Sequence, residues 1–351
     1  MKKVTVSASS EYDVLIGAGL LTAAGEQFKT ALPGAEKLAV VTDDNVELLY
    51  ADTLEQSLAA AGFDVCRFVL PHGEAEKTGE NYLQLLRFLA DEGLTRADAV
   101  IALGGGVVGD LAGFAAATYL RGVRFVQMPT TLLAMVDSSV GGKCAVDLPA
   151  GKNLAGAFYQ PCAVLADTDC LATLPPEEFA EGCAEILKYA ILGDAALFDT
   201  LTRCGRSFDR ETVIAACVEA KANYVAADER DGGVRALLNL GHTVGHAVER
   251  RSDYTVSHGE AVAMGLGVMA RAADAAGDCG REDADAVCAA LRAFGLPDAP
   301  NYPPAELLPL MYADKKRRGD TITLAVIRGI GNCELRTLPF AKLESYLKAG
   351  F

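Results

Sequence analysis

No two of the ten cysteines stand in C-x-x-C spacing, the nearest pair being Cys162 and Cys170. That excludes a zinc knuckle or a small disulfide framework and predicts free thiols in a reducing compartment, the cytoplasm. Nor does any apolar run reach the length of a membrane span. The most apolar stretch, from Ala97 to Leu120, is broken by glycines and by Asp110. No hydrophobic segment follows Lys2 and Lys3, so no secretory leader is expected. Positive charge is also scarce: 32 Lys and Arg against 47 Asp and Glu leave a net charge of −15. Such a field repels phosphate backbones and anionic lipid, so neither nucleic acid nor membrane is expected as a partner. An anionic ligand must then be held by a local group of cations, which makes each lysine and arginine informative. Internal repeats and low-complexity tracts are absent too.

What is present is ordinary globular composition, 51% hydrophobic and 23% charged, over 351 residues. That is long for one core and implies two domains. The first half alternates β-rich runs (Lys37–Thr42, Asp64–Leu70, Ala97–Leu103, Val123–Met128, Cys162–Ala166) with helical patterns over Leu54–Ala61, Asn81–Glu92 and Leu111–Leu120. This alternation predicts a Rossmann-like, mostly parallel sheet covered by helices. After Thr173-Leu-Pro-Pro the spacing becomes helical, with Pro175 and Pro176 suited to a helix opening. There Phe179, Cys183, Ile186, Leu187 and Ala190 fall on one face, opposite Glu181, Glu185 and Lys188. Thr321–Leu338 reads as a hairpin. The expected domains are therefore an α/β domain over 1–172 and a mainly α-helical domain over 173–351.

Gly104, Gly106 and Gly109 stand in G-x-G-x-x-G register between a strand and a helix. Such a loop lets a backbone approach a pyrophosphate and aims helix N-terminal N–H groups at it. A tight turn with no ligand uses the same residues. The acidic residue usual at the end of the next strand is missing, and Asp43 is the alternative source of a ribose contact. Ser138–Lys143 looks like a phosphate loop but lacks a glycine at Asp137, and Cys144 stands where Ser or Thr would bind magnesium.

Three of the four histidines lie within seventeen positions. His242 and His246 are i, i+4 on a predicted helix, and His258 follows in a separate segment. Catalytic zinc takes three N/O ligands and keeps one position open. Either three imidazoles form the set, or a carboxylate replaces one and the freed histidine does proton chemistry. Spacing leaves both open.

Taken in order, Thr42–Asn45, Gly73–Lys77, Gly104–Asp110, Pro129–Thr131, Asp137–Lys143, Gly151–Asn153, Ala184–Tyr189, Leu238–His246, His258–Val262 and Asp314–Lys316 resemble the 3-dehydroquinate synthase family of sugar-phosphate cyclases. The resemblance covers most of the chain. It implies a metal, zinc or cobalt, held by Glu185, His242 and His258, with His246 left beside the substrate. It implies an NAD site of Asp43, Asn45, Glu74, Lys77, Gly105, Gly106, Val107, Asp110, Thr130, Thr131, Lys152, Cys170, Thr173 and Leu174. A sugar-phosphate substrate would meet Arg121, Asp137, Lys143, Lys188, Lys221, Arg235, Asn239 and Lys315 or Lys316. A homodimer is expected. The implied reaction converts 3-deoxy-arabino-heptulosonate 7-phosphate to 3-dehydroquinate and phosphate. Three positions depart from the family's pattern: Asp231 for Glu, four residues before Arg235; His72 for Asp; and Val244 for a bulkier apolar residue.

Overall fold

Alternating apolar residues build the edge of the main sheet. In β1 (Lys2–Ser7) Val4 and Val6 are buried between exposed neighbours, and in β2 (Glu11–Gly17) buried Tyr12, Val14 and Ile16 alternate with half-buried Asp13 and Leu15. The two pair antiparallel. They precede α1 (Leu20–Ala31), β3 (Lys37–Asp43), α2 (Asp52–Ala60), β4 (Asp64–Leu70), α3 (Gly79–Asp91), β5 (Ala99–Gly104), α4 (Gly106–Thr118), β6 (Arg124–Pro129), β7 (Lys143–Leu148), β8 (Gly151–Phe158) and β9 (Ala163–Asp167). In this computed structural model, which describes residues 1–311 and 320–351 together with the backbone of 317 and 318, the seven strands run β1-β2-β9-β6-β5-β3-β4. Every neighbour beyond the β1–β2 edge is parallel. All six residues of β5 are buried, as a strand covered by helices on both faces requires. Fully burying Val100, Ile101 and Leu103 contributes about 1.5–3 kcal/mol each. β7 and β8 form a separate hairpin that the sequence reading leaves unassigned.

The chain then forms α5 (Pro176–Gly193) and α6 (Ala195–Cys204) before α7 (Arg210–Ala227), α8 (His242–Arg251), α9 (His258–Ala275), α10 (Arg281–Ala293), α11 (Pro304–Met311), β10 (Thr321–Gly329), β11 (Asn332–Pro339) and α12 (Phe340–Leu347). The predicted hairpin over Thr321–Leu338 is β10–β11. Two compact units result, and their division corrects the single boundary expected at 173. Met1–Pro175 and Arg210–Arg230 make the first, Pro176–Asp209 and Asp231–Phe351 the second. The physical reason is α7. Val213, Cys217, Lys221 and Val225, with Ile214, Val218 and Ala222, form a buried stripe that packs on β1, on β2 and on the segment 134–138. The terminal ammonium of Met1 adds an ion pair with Glu211 at 2.8 Å. The second unit is mainly helical. Among the described residues no helix is long and apolar enough to cross a membrane, and all ten cysteines are free thiols.

Candidate active site

In the second unit, close helix crossings bring three potential ligands together. Gly241, just before α8, is left-handed at φ 79°, which favours glycine, and a Cβ there would meet the Val262 carbonyl and Leu266 nitrogen at 3.0 Å. α9 opens on a capping box between Ser257 and Glu260, so Glu260 serves the helix end. A Cβ on Gly259 would fall 2.4 Å from the Cα of Glu181, so the start of α9 lies directly on α5. Glu185 from α5, His242 from the first position of α8 and His258 from the first position of α9 consequently converge, each offering one ligand atom within 4.8 Å of the others.

The donor chemistry fits a divalent ion. Glu185 is fully buried. His242 Nε2 and His258 Nε2 lie 3.6 Å and 3.5 Å from its Oε1. The opposite ring nitrogens are engaged: His242 Nδ1 with the Leu240 carbonyl at 3.1 Å, and His258 Nδ1 with Glu249 at 3.4 Å. Both Nε2 atoms are thus presented to the same point, as in metal sites whose second nitrogen fixes the tautomer. Burial alone would lower the His258 pKa, but the Glu185 and Glu249 carboxylates reverse this and raise it to about 10. The site is one that attracts positive charge. His246 is outside the ligand group, one turn along α8 and exposed, its ring centroid 5.4 Å from that of His242.

The rest of α5 corrects the sequence reading. Glu185 and Lys188 were expected opposite the apolar face, yet every residue from Gly182 to Leu192 is buried, because α9 covers the polar side. Lys188 is 1% exposed and contacts the Glu185 carboxylate directly. Arg235 is also 1% exposed, on a short helical turn over Val234–Asn239, where the Asn239 amide donates to the Ala236 carbonyl at 3.3 Å. Asp231 sits in left-handed backbone at φ 56°. Lys315 and Lys316 lie outside the described residues.

In the first unit the glycine loop is as expected. β5 ends at Gly104 and α4 begins at Gly106, with Thr130 N–H donating to the Gly104 carbonyl at 3.0 Å. Gly109 serves packing, since a Cβ would meet Gln127 at 2.6 Å. Lys77 is 4% exposed and contacts Asp110 and Asn153. Burial works against its charge, but Asp110 and Glu74 more than offset this and hold its pKa up. Lys152 pairs with Glu74 at 3.3 Å. Asp43 spends one carboxylate oxygen on the N–H groups of Asn45 and Val46, capping the turn that follows β3. Tyr50 donates to the Cys170 carbonyl at 3.0 Å and also contacts Thr173; Leu174 follows, half-buried, and Val107 and Thr131 are half-buried at the loop. Of the substrate candidates in this unit, Lys221 donates to the carbonyl and carboxylate of Asp137 at 2.7 and 2.9 Å. Lys143 and Arg121 are exposed, Arg121 in left-handed backbone at φ 68°. His72, the fourth histidine, pairs with Asp44 at 2.8 Å on the surface. Sequence reasoning missed Glu249 and Asn153 as site-lining groups; the signal for Glu249 was its place seven residues after His242 on one helical stripe.

Comparison with known proteins gives a consistent picture. A family model for the 3-dehydroquinate synthase N-terminal region matches residues 67–181, and one for the 3-dehydroquinate synthase C-terminal region matches 182–317. The 3-dehydroquinate synthase of Pelobacter propionicus is 44% identical, with 98% of each chain covered. Two solved structures are similar throughout. One is 2-deoxy-scyllo-inosose synthase complexed with carbaglucose-6-phosphate, NAD+ and Co2+, 25% identical with TM-score 0.88 over 99% of this chain and 100% of that one. The other is 2-epi-5-epi-valiolone synthase from Streptomyces hygroscopicus with NAD+ and Zn2+ bound, 27% identical with TM-score 0.89 over 99% of each.

Proposed function

The chain belongs to the 3-dehydroquinate synthase family, and from that premise we propose that it converts 3-deoxy-D-arabino-heptulosonate 7-phosphate to 3-dehydroquinate and phosphate, in the shikimate pathway. It is a phosphate-eliminating carbon–oxygen lyase that uses NAD and one divalent metal, zinc or cobalt. The observation that carries this reading is the convergence of Glu185, His242 and His258 with both histidine Nδ1 atoms already engaged. When bound, the ion supplies Lewis acidity toward a substrate hydroxyl, and NAD takes up and returns one hydride.

The chain's own residues do the rest. The α4 N-terminus and Gly105 donate backbone N–H groups to the pyrophosphate, since the first N–H groups of a helix have no intrahelical partner. Lys77, Asp110, Glu74 and Lys152 frame that loop, with Asp43, Asn45, Val107, Thr130, Thr131, Cys170, Thr173 and Leu174 completing the dinucleotide contacts. Lys143, Lys221 and Arg121, with Lys188, Arg235, Asn239 and Lys315 or Lys316, bind the phosphate, carboxylate and hydroxyls against a field of −15. Asp137 orients Lys221 through the bonds described. His246, outside the ligand group, exchanges a proton with the substrate at an imidazole nitrogen. The free cysteines suit the cytoplasm, and the working unit is a homodimer.

Turnover should be redox-neutral. With far less than one equivalent of NAD per substrate, inorganic phosphate should accumulate while absorbance at the NADH band stays flat. Stoichiometric NADH without phosphate would instead identify a polyol dehydrogenase on the same fold.

Asp231 bears on the same assay. Its left-handed backbone suits Asp better than Glu, because the short side chain can bond locally. Asp231→Glu should stay within about threefold of the parent, whereas Asp231→Ala, lacking the carboxylate four residues before Arg235, should lose about 10²-fold or more if that carboxylate takes part in proton transfer. Unchanged kinetics in Asp231→Ala would reduce this carboxylate to a loop residue.

A further inference from the structure

Glu249 shares the α8 stripe that carries His242 and His246, two turns beyond His242. It is 4% exposed. A carboxylate that deep needs a donor or a cation, and His258 Nδ1 stands 3.4 Å from its Oε1. The backbone brings the two together. After α8 the chain turns through Asp253 and Tyr254, both left-handed at φ 49° and 61°. The Tyr254 N–H and the Ser252 hydroxyl donate to the Glu249 carbonyl at 2.8 and 2.9 Å. Ser257 then caps α9 so that His258 is its first residue. Two non-glycine residues held left-handed in succession cost of order 1–3 kcal/mol each, so the link is kept against its own backbone preference.

We propose that Glu249 is a positioning residue for the metal ion. It accepts from His258 Nδ1–H, fixes the tautomer that leaves the Nε2 lone pair toward Glu185, and makes that imidazole the more basic ligand. The proposal rests on Glu185, His242 and His258 being the ligands. The two histidines are then unequal. His242 Nδ1 meets a neutral carbonyl, that of Leu240, whereas His258 is backed by a carboxylate.

The test is cobalt titration of metal-stripped full-length protein, read by the visible Co(II) bands and by chelator competition. Glu249→Gln keeps shape and an acceptor but loses the charge; it should bind cobalt about 10-fold more weakly with shifted bands. Glu249→Ala should approach 100-fold. Glu185→Ala is the reference. Parent affinity and unshifted bands in Glu249→Gln, with Glu185→Ala impaired, would overturn the proposal whatever the stability of the Ala variant. Parent-like cobalt binding by Glu185→Ala would overturn the ligand assignment itself, and this proposal with it.

Discussion

Glu185→Ala and His258→Ala proteins should carry far less than one divalent ion per chain and lose turnover by at least about 10³-fold. The loss of Lewis-acid stabilisation is worth several kcal/mol, and each 1.36 kcal/mol is tenfold in rate. The Glu185 variant has a second cost. Lys188, 1% exposed, would keep its ammonium without the carboxylate it contacts, and breaking a buried pair costs about 3–5 kcal/mol. Glu185→Gln separates the two effects, since it preserves shape and a hydrogen-bond acceptor for Lys188 while removing the anionic ligand. Metal analysis with thermal melting reads both. His246→Ala is the counterpart: it should keep its metal and lose about 10²–10⁴ in rate. Full metal retention in both Glu185→Ala and His258→Ala would sink the ligand set.

The second large effect concerns the cations. Arg235→Ala and Lys221→Ala should each lose about 10²–10³ in kcat/KM. Lys221 is paired with Asp137, and truncating one partner of a buried, hydrogen-bonded charge pair costs about 2–5 kcal/mol; Arg235, 1% exposed, is a buried cation that the proposed reading gives to the anionic substrate. Arg235→Lys should recover little of this, because a flexible point charge does not reproduce the five fixed donors of a guanidinium. Arg281→Ala, at an 80% exposed side chain on α10, should be near neutral. Equal losses at all three positions would mean that buried cations have no special part in substrate binding.

Much of this was legible in the residues. The glycine loop was, because a buried apolar strand must end where Gly104 begins a turn. The histidine pair on α8 was, because i, i+4 spacing leaves only one geometry. Period alone could not choose between Glu185 and His246 as the third member of the candidate group, since that depends on how α5 crosses α9. The β1–β2 edge had its signal in the alternation of Val4 and Val6, then Tyr12, Val14 and Ile16. The β7–β8 hairpin had little: Asp147, Gly151, Lys152 and Asn153 break any apolar alternation, and its register depends on distant groups, such as the Lys77 carbonyl that accepts from Asp147 N–H at 2.7 Å. Helix α7 shows a further limit. Its stripe says that it packs, but not on which sheet; Lys221 was named only through the family resemblance, and its burial within that stripe is a finding of the structure.

That helix also orders events during synthesis. The last strand of the sheet ends at Asp167, but the helix that covers β1 and β2 finishes only at Ala227. While the ribosome makes α5 and α6, which belong to the other unit, the apolar face of that edge has no cover. A nascent chain paused there displays apolar surface of the kind that chaperones bind and that aggregates. The same topology means that a fragment cut after Pro175 lacks a wall of its own core, so the two units are not separable by a single cleavage of the chain.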